Sequence, residues 1–218
     1  MTTDLIKRLV QIPYDILLRT YLPKKIGVYN SVAVREPVLL DATDHFPKKK
    51  TGLINGITTL IDESDTVLEI GAGRGVATVW CARDADEIIS YEASERMYAA
   101  TKETLELNGV TDTVDLYHGI VDPDVDVWGS HDNASTILPS DLPNADMLVT
   151  DCEGAEMDIL TALDEFPPKM IVEAHDCFGV PTEDVVEFLE THGYTVDSVE
   201  LHTPNATREA NVVTAHRS

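Results

Sequence analysis

The decapeptide TVLEIGAGRG, residues 66–75, decides the fold, because a short apolar run passes directly into three closely spaced glycines. The run Thr66–Ile70 has the length and the β-branched content of a buried strand. A glycine-rich turn from a strand into a helix lets the backbone approach a ligand closely and presents N–H groups to it. The stretch therefore predicts the first strand and the ligand-binding turn of an open α/β sheet.

Downstream of this turn, strand and helix patterns alternate along the chain. Apolar runs predict strands at residues 87–91, 114–118, 146–150 and 170–174. Helices are predicted over residues 76–83, 94–108, 155–166 and 182–192, the second of them capped by Ser94. Residues 195–200 and 210–215 are predicted to be two last strands at an antiparallel edge. The alternation predicts an α/β fold with a Rossmann-like doubly wound sheet, mostly parallel with an antiparallel C-terminal edge.

Residues 1–50 are predicted to be a basic amphipathic extension and residues 51–218 the α/β domain. Segment 4–21 has apolar residues at helical spacing, with Pro13 ending or kinking the helix. One interpretation is weak association with a membrane surface through residues 1–24; the other is a helix folded over the α/β domain. A small hairpin is predicted between residues 26 and 40, and loop 122–143 is predicted to be a lid or substrate loop.

The composition is strongly acidic, since 16 basic and 39 acidic side chains give a formal net charge of −23 over 218 residues. Such a chain repels phosphates, so the charge predicts that nucleic acid is not a partner. Carboxylates spread along the chain are typical of a halophilic protein, in which salt screens self-repulsion. No apolar run is long enough to span a membrane, and three scattered cysteines form no disulfide framework. A cytoplasmic protein is therefore predicted.

The spacing of the glycine turn indicates which cofactor it binds. A dinucleotide fingerprint, GxGxxG, would place its third glycine at position 76, where this chain has Val76. The spacing is instead ExGxGxG, with Glu69 two residues before the first glycine. This pattern resembles motif I of class I S-adenosylmethionine-dependent methyltransferases. An acid at this position suits a ligand with an ammonium and a sulfonium group.

The resemblance implies S-adenosyl-L-methionine as cofactor and a set of residues that bind it. Glu69 would hold the amino acid end of the cofactor, and Glu92, at the end of the second strand, would accept both ribose hydroxyls. Ile120, after the third strand, would pack against the adenine ring. The turn itself would contribute Gly71, Ala72, Gly73 and Gly75.

A second motif, DCEGAE, follows the strand at 146–150 and starts at Asp151. It resembles the D-x-E-G-x-E signature of FkbM-type methyltransferases, and the order of motifs over residues 65–195 is similar to that family. The resemblance implies O-methylation of hydroxyls on sugars and natural products. Asp151 would orient or deprotonate the substrate hydroxyl. Glu153 is a further catalytic candidate, although it and Glu156 also fit the simpler role of residues at a helix start.

His175 is the third catalytic candidate, because a neutral imidazole is a general base near pH 7 that Asp176 or Glu173 would orient. The alternative is a divalent metal held by Asp151, Asp176 and Glu153. The predicted site contains no metal, since oxygen-ligand sites need several convergent groups and acids are abundant throughout this chain.

The sequence thus predicts an enzyme that transfers the sulfonium methyl in line to a hydroxyl of a sugar or small metabolite, with catalysis mainly by orientation. Its partner would be a small-molecule or glycan substrate. Two alternatives share the fold: an NAD(P)-binding oxidoreductase, and a non-catalytic module that binds a nucleoside.

Overall fold

The structure is a computed structural model, which describes residue 14 and residues 18–121, 131, 133–204 and 210–217. The elements in chain order are β1 (Lys24–Tyr29), β2 (Val32–Val38), β3 (His45–Phe46), α1 (Thr51–Leu60), β4 (Thr66–Ile70), α2 (Val76–Cys81), β5 (Glu87–Glu92), α3 (Glu95–Asn108), β6 (Val114–Val121), β7 (Ser135–Ile137), β8 (Met147–Thr150), α4 (Glu156–Thr161), β9 (Lys169–Ala174), α5 (Thr182–Thr191), β10 (Thr195–Leu201) and β11 (Asn211–His216).

Within the described residues, eight strands form one sheet in the order β10-β11-β9-β8-β4-β5-β6-β7. Every pair in it is parallel except the two pairs that β11 makes with β9 and β10. The predicted fold class, a mostly parallel sheet with an antiparallel C-terminal edge, is therefore confirmed. Helix α4 is shorter than predicted, since it ends at Thr161 rather than 166. Directly after Thr161, the N–H groups of Ala162 and Leu163 bond three residues back, to Ile159 and Leu160, so the last turn tightens and the α-helix ends there.

The strand order reverses beside β4, which places a ligand crevice there. The chain moves from β4 to β5 and β6 on one side, then returns to β8 on the other side of β4. In open α/β sheets, ligands bind outside the carboxyl ends of the strands at such a switch point. The turn after β4 and the loop after β8 meet at this place.

Two buried apolar clusters cover the two faces of the sheet. Val67 of β4 belongs to the cluster under α1, α2 and α3, whereas Leu68 and Ile70 belong to the cluster under α4 and α5. This alternation follows from the two-residue period of a strand. It also turns Glu69 towards the face that α2 covers.

The predicted hairpin is present as β1 and β2, joined by Asn30 and Ser31, which both have positive φ. With β3 these strands make a separate three-stranded sheet. Strand β2 packs against α3, where Asn108 binds both backbone groups of Ala33. Trp80 of α2 donates to the carbonyl of Asn30.

Two sequence predictions fall on residues outside the described part of the chain. The amphipathic helix over 4–21 and the membrane contact through 1–24 depend mainly on residues 1–13 and 15–17, and the predicted lid depends on 122–130. The described remainder of loop 122–143 contains β7 and the 3-10 turn Pro139–Asp141. Among the described residues, no helix has the length and apolar character needed to cross a membrane.

Candidate active site

A cavity of about 470 Å³ opens at the carboxyl ends of the central strands. One side of it is formed by the turn after β4 and by the ends of β5 and β6. The other side is formed by the loops after β8, β9 and β10 and by the residue before α1. The residues that line the cavity include Lys50, Gly71, Gly73, Glu92, Ile120, Asp151, Glu153, Glu173, His175 and His202.

The glycine turn has its N–H groups bonded within the protein. The N–H groups of Gly71 and Ala72 donate to the carbonyl of Tyr91 at 2.9 and 3.3 Å, and the N–H of Gly75 donates to Ala72 at 2.9 Å. The N–H of Gly73 donates to Oε2 of Glu92 at 2.7 Å. A carboxylate of the protein thus occupies a position that a ligand phosphate takes in anion-binding turns. This arrangement disfavours a pyrophosphate ligand.

Glu92 lies at the end of β5 with its carboxylate against the turn. Its other oxygen, Oε1, accepts from the N–H of Ser94 at 2.8 Å, and only 7% of the residue is exposed. Burial raises the pKa of Glu92 to about 7, although its bonds from Ser94 and Gly73 act in the opposite direction. Each carboxylate oxygen has a second lone pair, so both can accept hydroxyl groups from a ligand.

The other residues predicted to bind cofactor divide into two groups. Ile120 lines the cavity together with Gly71 and Gly73. Glu69 does not: it is 2% exposed, and Oε2 accepts from Thr78 and Ser90, each at 2.6 Å. Burial raises its pKa. Ala72 and Gly75 also lie outside the cavity lining.

Asp151 directly follows β8 and forms an ion pair with Lys50. Both side chains are largely buried. Burial and the nearby charge of Glu173 raise the pKa of Asp151, against the opposing effect of Lys50. Burial by itself would lower the pKa of Lys50, but the charges of Asp151 and Glu173 outweigh it and raise the pKa above its usual value. Lys50 is therefore a protonated donor, and Asp151 lines the cavity as a hydrogen-bond acceptor beside it.

His175 is held between carboxylates on both ring nitrogens. Nδ1 lies 2.7 Å from Oε1 of Glu156, and Nε2 lies 3.2 Å from Oε1 of Glu173 and 3.7 Å from Oδ1 of Asp151. Burial would lower its pKa, but the bonds to Glu156 and Glu173 raise it to about 11. The ring is thus an imidazolium at neutral pH, whereas the predicted general base needs a neutral ring.

Glu153 and Glu156 have different roles in the DCEGAE loop. Glu156 is fully buried and accepts from the N–H groups of Cys152 at 3.0 Å and Gly154 at 2.9 Å. It thereby closes the loop that follows Asp151. Glu153 has a φ of 52° and is exposed at the rim of the cavity. Partial desolvation of its carboxyl group and the charge of Asp151 raise its pKa.

Lys50 and His202 line the cavity but were not predicted as site residues, and Glu173 was predicted only to orient His175. Glu173 lies on β9, and its Oε2 is 2.5 Å from Nδ1 of His202. The bonds from His175 and His202 outweigh its burial and lower its pKa. The signal available for Glu173 was a carboxylate near the end of an apolar strand. No local pattern marked Lys50 or His202.

The alternative metal set of Asp151, Asp176 and Glu153 is not brought together. Asp176 is exposed and binds the N–H and hydroxyl of Thr182, each at 3.3 Å, at the start of α5.

Comparison with known proteins supports the assignment of the fold. A family model of ribosomal RNA adenine dimethylases matches residues 48–119, which include the glycine turn and Glu92. Ribosomal protein L11 methylase from Lactobacillus delbrueckii subsp. bulgaricus aligns with a TM-score of 0.54 at 17% identity, over 78% of this chain and 79% of that one. The tRNA m1G37 methyltransferase of M. jannaschii aligns with a TM-score of 0.57 at 12% identity, over 90% of this chain and 57% of that one.

A third solved structure is precorrin-6y C5,15-methyltransferase from Geobacter metallireducens, with a TM-score of 0.52 at 16% identity, over 83% of this chain and 92% of that one. The chain has the fold of class I methyltransferases, which are enzymes that take their methyl group from S-adenosylmethionine. The matched segment 48–119 ends before the DCEGAE motif, so the FkbM-type resemblance stays a prediction.

The expectation that nucleic acid is not a partner is wrong. The matched family model is one of ribosomal RNA dimethylases, and the fold is shared with a tRNA methyltransferase. A net charge of −23 averages over the molecule and does not describe its cavity. Lys49, Arg74 and Arg96 all line the cavity in this acidic protein.

Proposed function

We propose that the protein transfers the methyl group of S-adenosylmethionine to a hydroxyl oxygen of an acceptor bound at Asp151. The observation that carries the proposal is that one cavity has the glycine turn and Glu92 along one wall and Asp151 along the opposite wall. A methyl donor held by the first set would direct its sulfonium towards the second. Positioning of donor and acceptor accounts for most of the rate in such a transfer.

The donor would lie along the turn after β4. Gly71 and Gly73 allow close approach of the donor, Glu92 accepts the ribose hydroxyls, and Ile120 contacts the adenine ring. Glu69 would act without touching the donor, by fixing the turn through Thr78 and Ser90.

The acceptor would bind with its hydroxyl against Asp151. In the transfer the oxygen forms a bond to the methyl carbon, the sulfonium–carbon bond breaks with its electron pair left on sulfur, and the hydroxyl proton moves to Asp151. His175, as a fixed cation, would hold the carboxylates of Asp151 and Glu173 in position. Glu153 would contact the acceptor at the exposed rim of the cavity.

The proposed acceptors are classes of molecule that carry a hydroxyl group. The DCEGAE resemblance favours a sugar or small metabolite, and the likeness to RNA methyltransferases adds RNA, whose ribose carries the same group. The main competing function, an NAD(P) oxidoreductase, is disfavoured because the turn N–H groups already bind Tyr91 and Glu92 rather than facing a pyrophosphate.

Calorimetry with purified protein in concentrated KCl tests the donor. S-adenosylmethionine and S-adenosylhomocysteine are expected to bind, and NAD and NADP are not. Binding of NAD alone would overturn the proposal.

Transfer from methyl-labelled donor to separate pools of sugars, small metabolites and RNA tests the acceptor. The expected product is a methyl ether, which resists alkali. A label released by mild alkali as methanol would mean an ester, and a label retained on nitrogen or carbon by mass spectrometry would contradict transfer to a hydroxyl.

A further inference from the structure

Lys50 is a largely buried cation to which the proposed transfer assigns no role. Its side chain is 12% exposed and lines the cavity beside Asp151. Burying an ammonium is costly unless partners compensate it. In a chain of net charge −23, surface positions for a lysine are plentiful, so this placement calls for a specific role.

The backbone around Lys50 holds it in this position. Lys50 has a φ of 58°, and its N–H donates to Oγ1 of Thr203 at 2.9 Å. Its carbonyl accepts the first bond of α1, from Ile54 at 3.0 Å. The next turn is fixed as well, since the N–H of Gly52 donates to the carbonyl of His202 at 3.1 Å. A non-glycine residue keeps a left-handed backbone where its surroundings demand it, and such positions cluster at functional sites.

The groups around the ammonium form a set that attracts a cation. Asp151, Glu173 and His202 each offer a ligand atom, and these atoms lie within 4.8 Å of one another. Lys50 is ion-paired with Asp151 and interacts electrostatically with Glu173. The positive charge that such a set requires is therefore supplied by the protein itself.

We propose that Lys50 is the cation of the acceptor site, whose ammonium donates to the acceptor oxygen and stabilises the negative charge that builds on it. An ammonium has three N–H donors and Asp151 takes one, so Lys50 can hold Asp151 and the acceptor oxygen together. The proton of the hydroxyl passes to Asp151, the oxygen bonds to the methyl carbon, and Lys50 stays protonated throughout. This role rests on the proposed methyl transfer to a hydroxyl.

The test compares wild type with Lys50→Met and Lys50→Arg on the acceptor that wild type methylates. Loss of a preorganised donor to a developing oxyanion costs about 100-fold or more in kcat. Lys50→Met is therefore expected to lose about 100-fold in kcat, with the Kd for S-adenosylhomocysteine within about threefold. Lys50→Arg should recover part of kcat, since it keeps the charge. Lys48→Met, an exposed neighbour outside the cavity, is the matched control and should retain wild-type kcat.

Lys50→Met leaves Asp151 without its partner and is checked by thermal unfolding. If it does not fold, the double variant Lys50→Met/Asp151→Asn removes both charges, and its kcat is compared with that of Asp151→Asn. Equal kcat in wild type and Lys50→Met would overturn the proposed role of Lys50 but not the proposed function. Equal kcat in the double variant and Asp151→Asn would do the same. Absence of transfer to any hydroxyl by wild type would instead overturn the proposed function.

Treatment with a chelator is an independent test of the proposal. Turnover by wild type is expected to be unchanged by EDTA, because Lys50 supplies the charge. Loss of turnover in EDTA that Mg²⁺ or Mn²⁺ restores would overturn the proposal, since a metal ion would then be the cation of the site.

Discussion

At the scale of single residues, access to the cavity rather than burial separates the carboxylates that can meet a ligand from the rest. Glu69 and Glu92 are both buried acids of neighbouring strands, yet only Glu92 faces the cavity. Glu69 lies inside β4, before the turn, and binds two hydroxyls of the protein. Glu69 pairs with Ser90, so Glu92, two residues further along β5, lies on the same face of the sheet. The position along the strand therefore decides which acid can meet a ligand, because Glu92 lies at the carboxyl end, where the cavity opens.

Glu92 predicts a pH dependence of donor binding. Its pKa is raised to about 7, so the unliganded carboxyl takes up a proton as pH falls below 7. Two ribose hydroxyls need the ionised form, so the Kd for S-adenosylhomocysteine should rise about tenfold per pH unit below 7 and stay level above it. Calorimetry from pH 5.5 to 8.5 at constant KCl measures this.

Glu92→Gln should abolish that slope and weaken binding at pH 8 by about 10- to 100-fold, the value of hydrogen bonds to a charged group. Glu95→Gln, an exposed residue in the first turn of α3, is the control and should behave as wild type. A variant at position 92 that keeps both the slope and the affinity would mean that another group holds the ribose.

At the scale of elements, the site depends on how closely the turn after β4 approaches the loop after β8. A Cβ atom on Gly71 would lie 2.1 Å from the carbonyl oxygen of Asp151, and Gly71 has a φ of 90°. Two backbone segments therefore meet where a side chain has no room. This contact sets the distance between the donor side and the acceptor side of the cavity.

Gly71→Ala is expected to destabilise the protein by about 2–5 kcal/mol, from left-handed strain and from overpacking against Asp151. Gly109→Ala is the matched control, because Gly109 also has a positive φ, of 69°, but no atom within 4 Å of the added carbon. It should cost only about 1–2 kcal/mol. Urea unfolding at fixed KCl measures both. Equal costs for the two variants would show that the contact between the turn and the loop is loose.

At the scale of the whole molecule, charge is the dominant feature. A net charge of −23 destabilises a compact state through self-repulsion, which dissolved salt screens over about 3 Å at 1 M. Within this acidic molecule, opposite charges are paired in the cavity, where Lys50 lies beside Asp151 and His175 beside Glu173.

The thermal unfolding midpoint is therefore expected to rise with KCl between about 0.1 and 1 M, the range over which the Debye length falls from about 10 Å to about 3 Å. Exposed ion pairs such as Arg35 with Glu103 lose strength in salt, but each contributes little. Differential scanning calorimetry in KCl, with an equal osmolality of sucrose as control, measures the effect. A midpoint that falls with KCl, or follows sucrose equally, would contradict charge screening.

Much of the fold was predictable from local pattern. The strands β4, β5, β8 and β9 lie within a residue or two of their predicted ends, and Ser94 caps α3 as its sequence predicts. Less of the candidate site was predictable from local pattern. The glycine turn, Glu92 and Asp151 were marked by their positions after apolar runs, whereas Lys50 and His202 follow no such run.

The sequence by itself determined the order of strands and helices, the glycine turn and the strongly acidic surface, because periodicity, turn residues and charge are properties of neighbouring residues. Only the tertiary structure decided which charges meet. Lys50 and Asp151 are 101 residues apart, and Glu173 and His202 are 29 apart. Their contacts exist because β8 and β9 lie side by side and the start of α1 passes over their ends. Strand order therefore converted scattered acids and bases into one site.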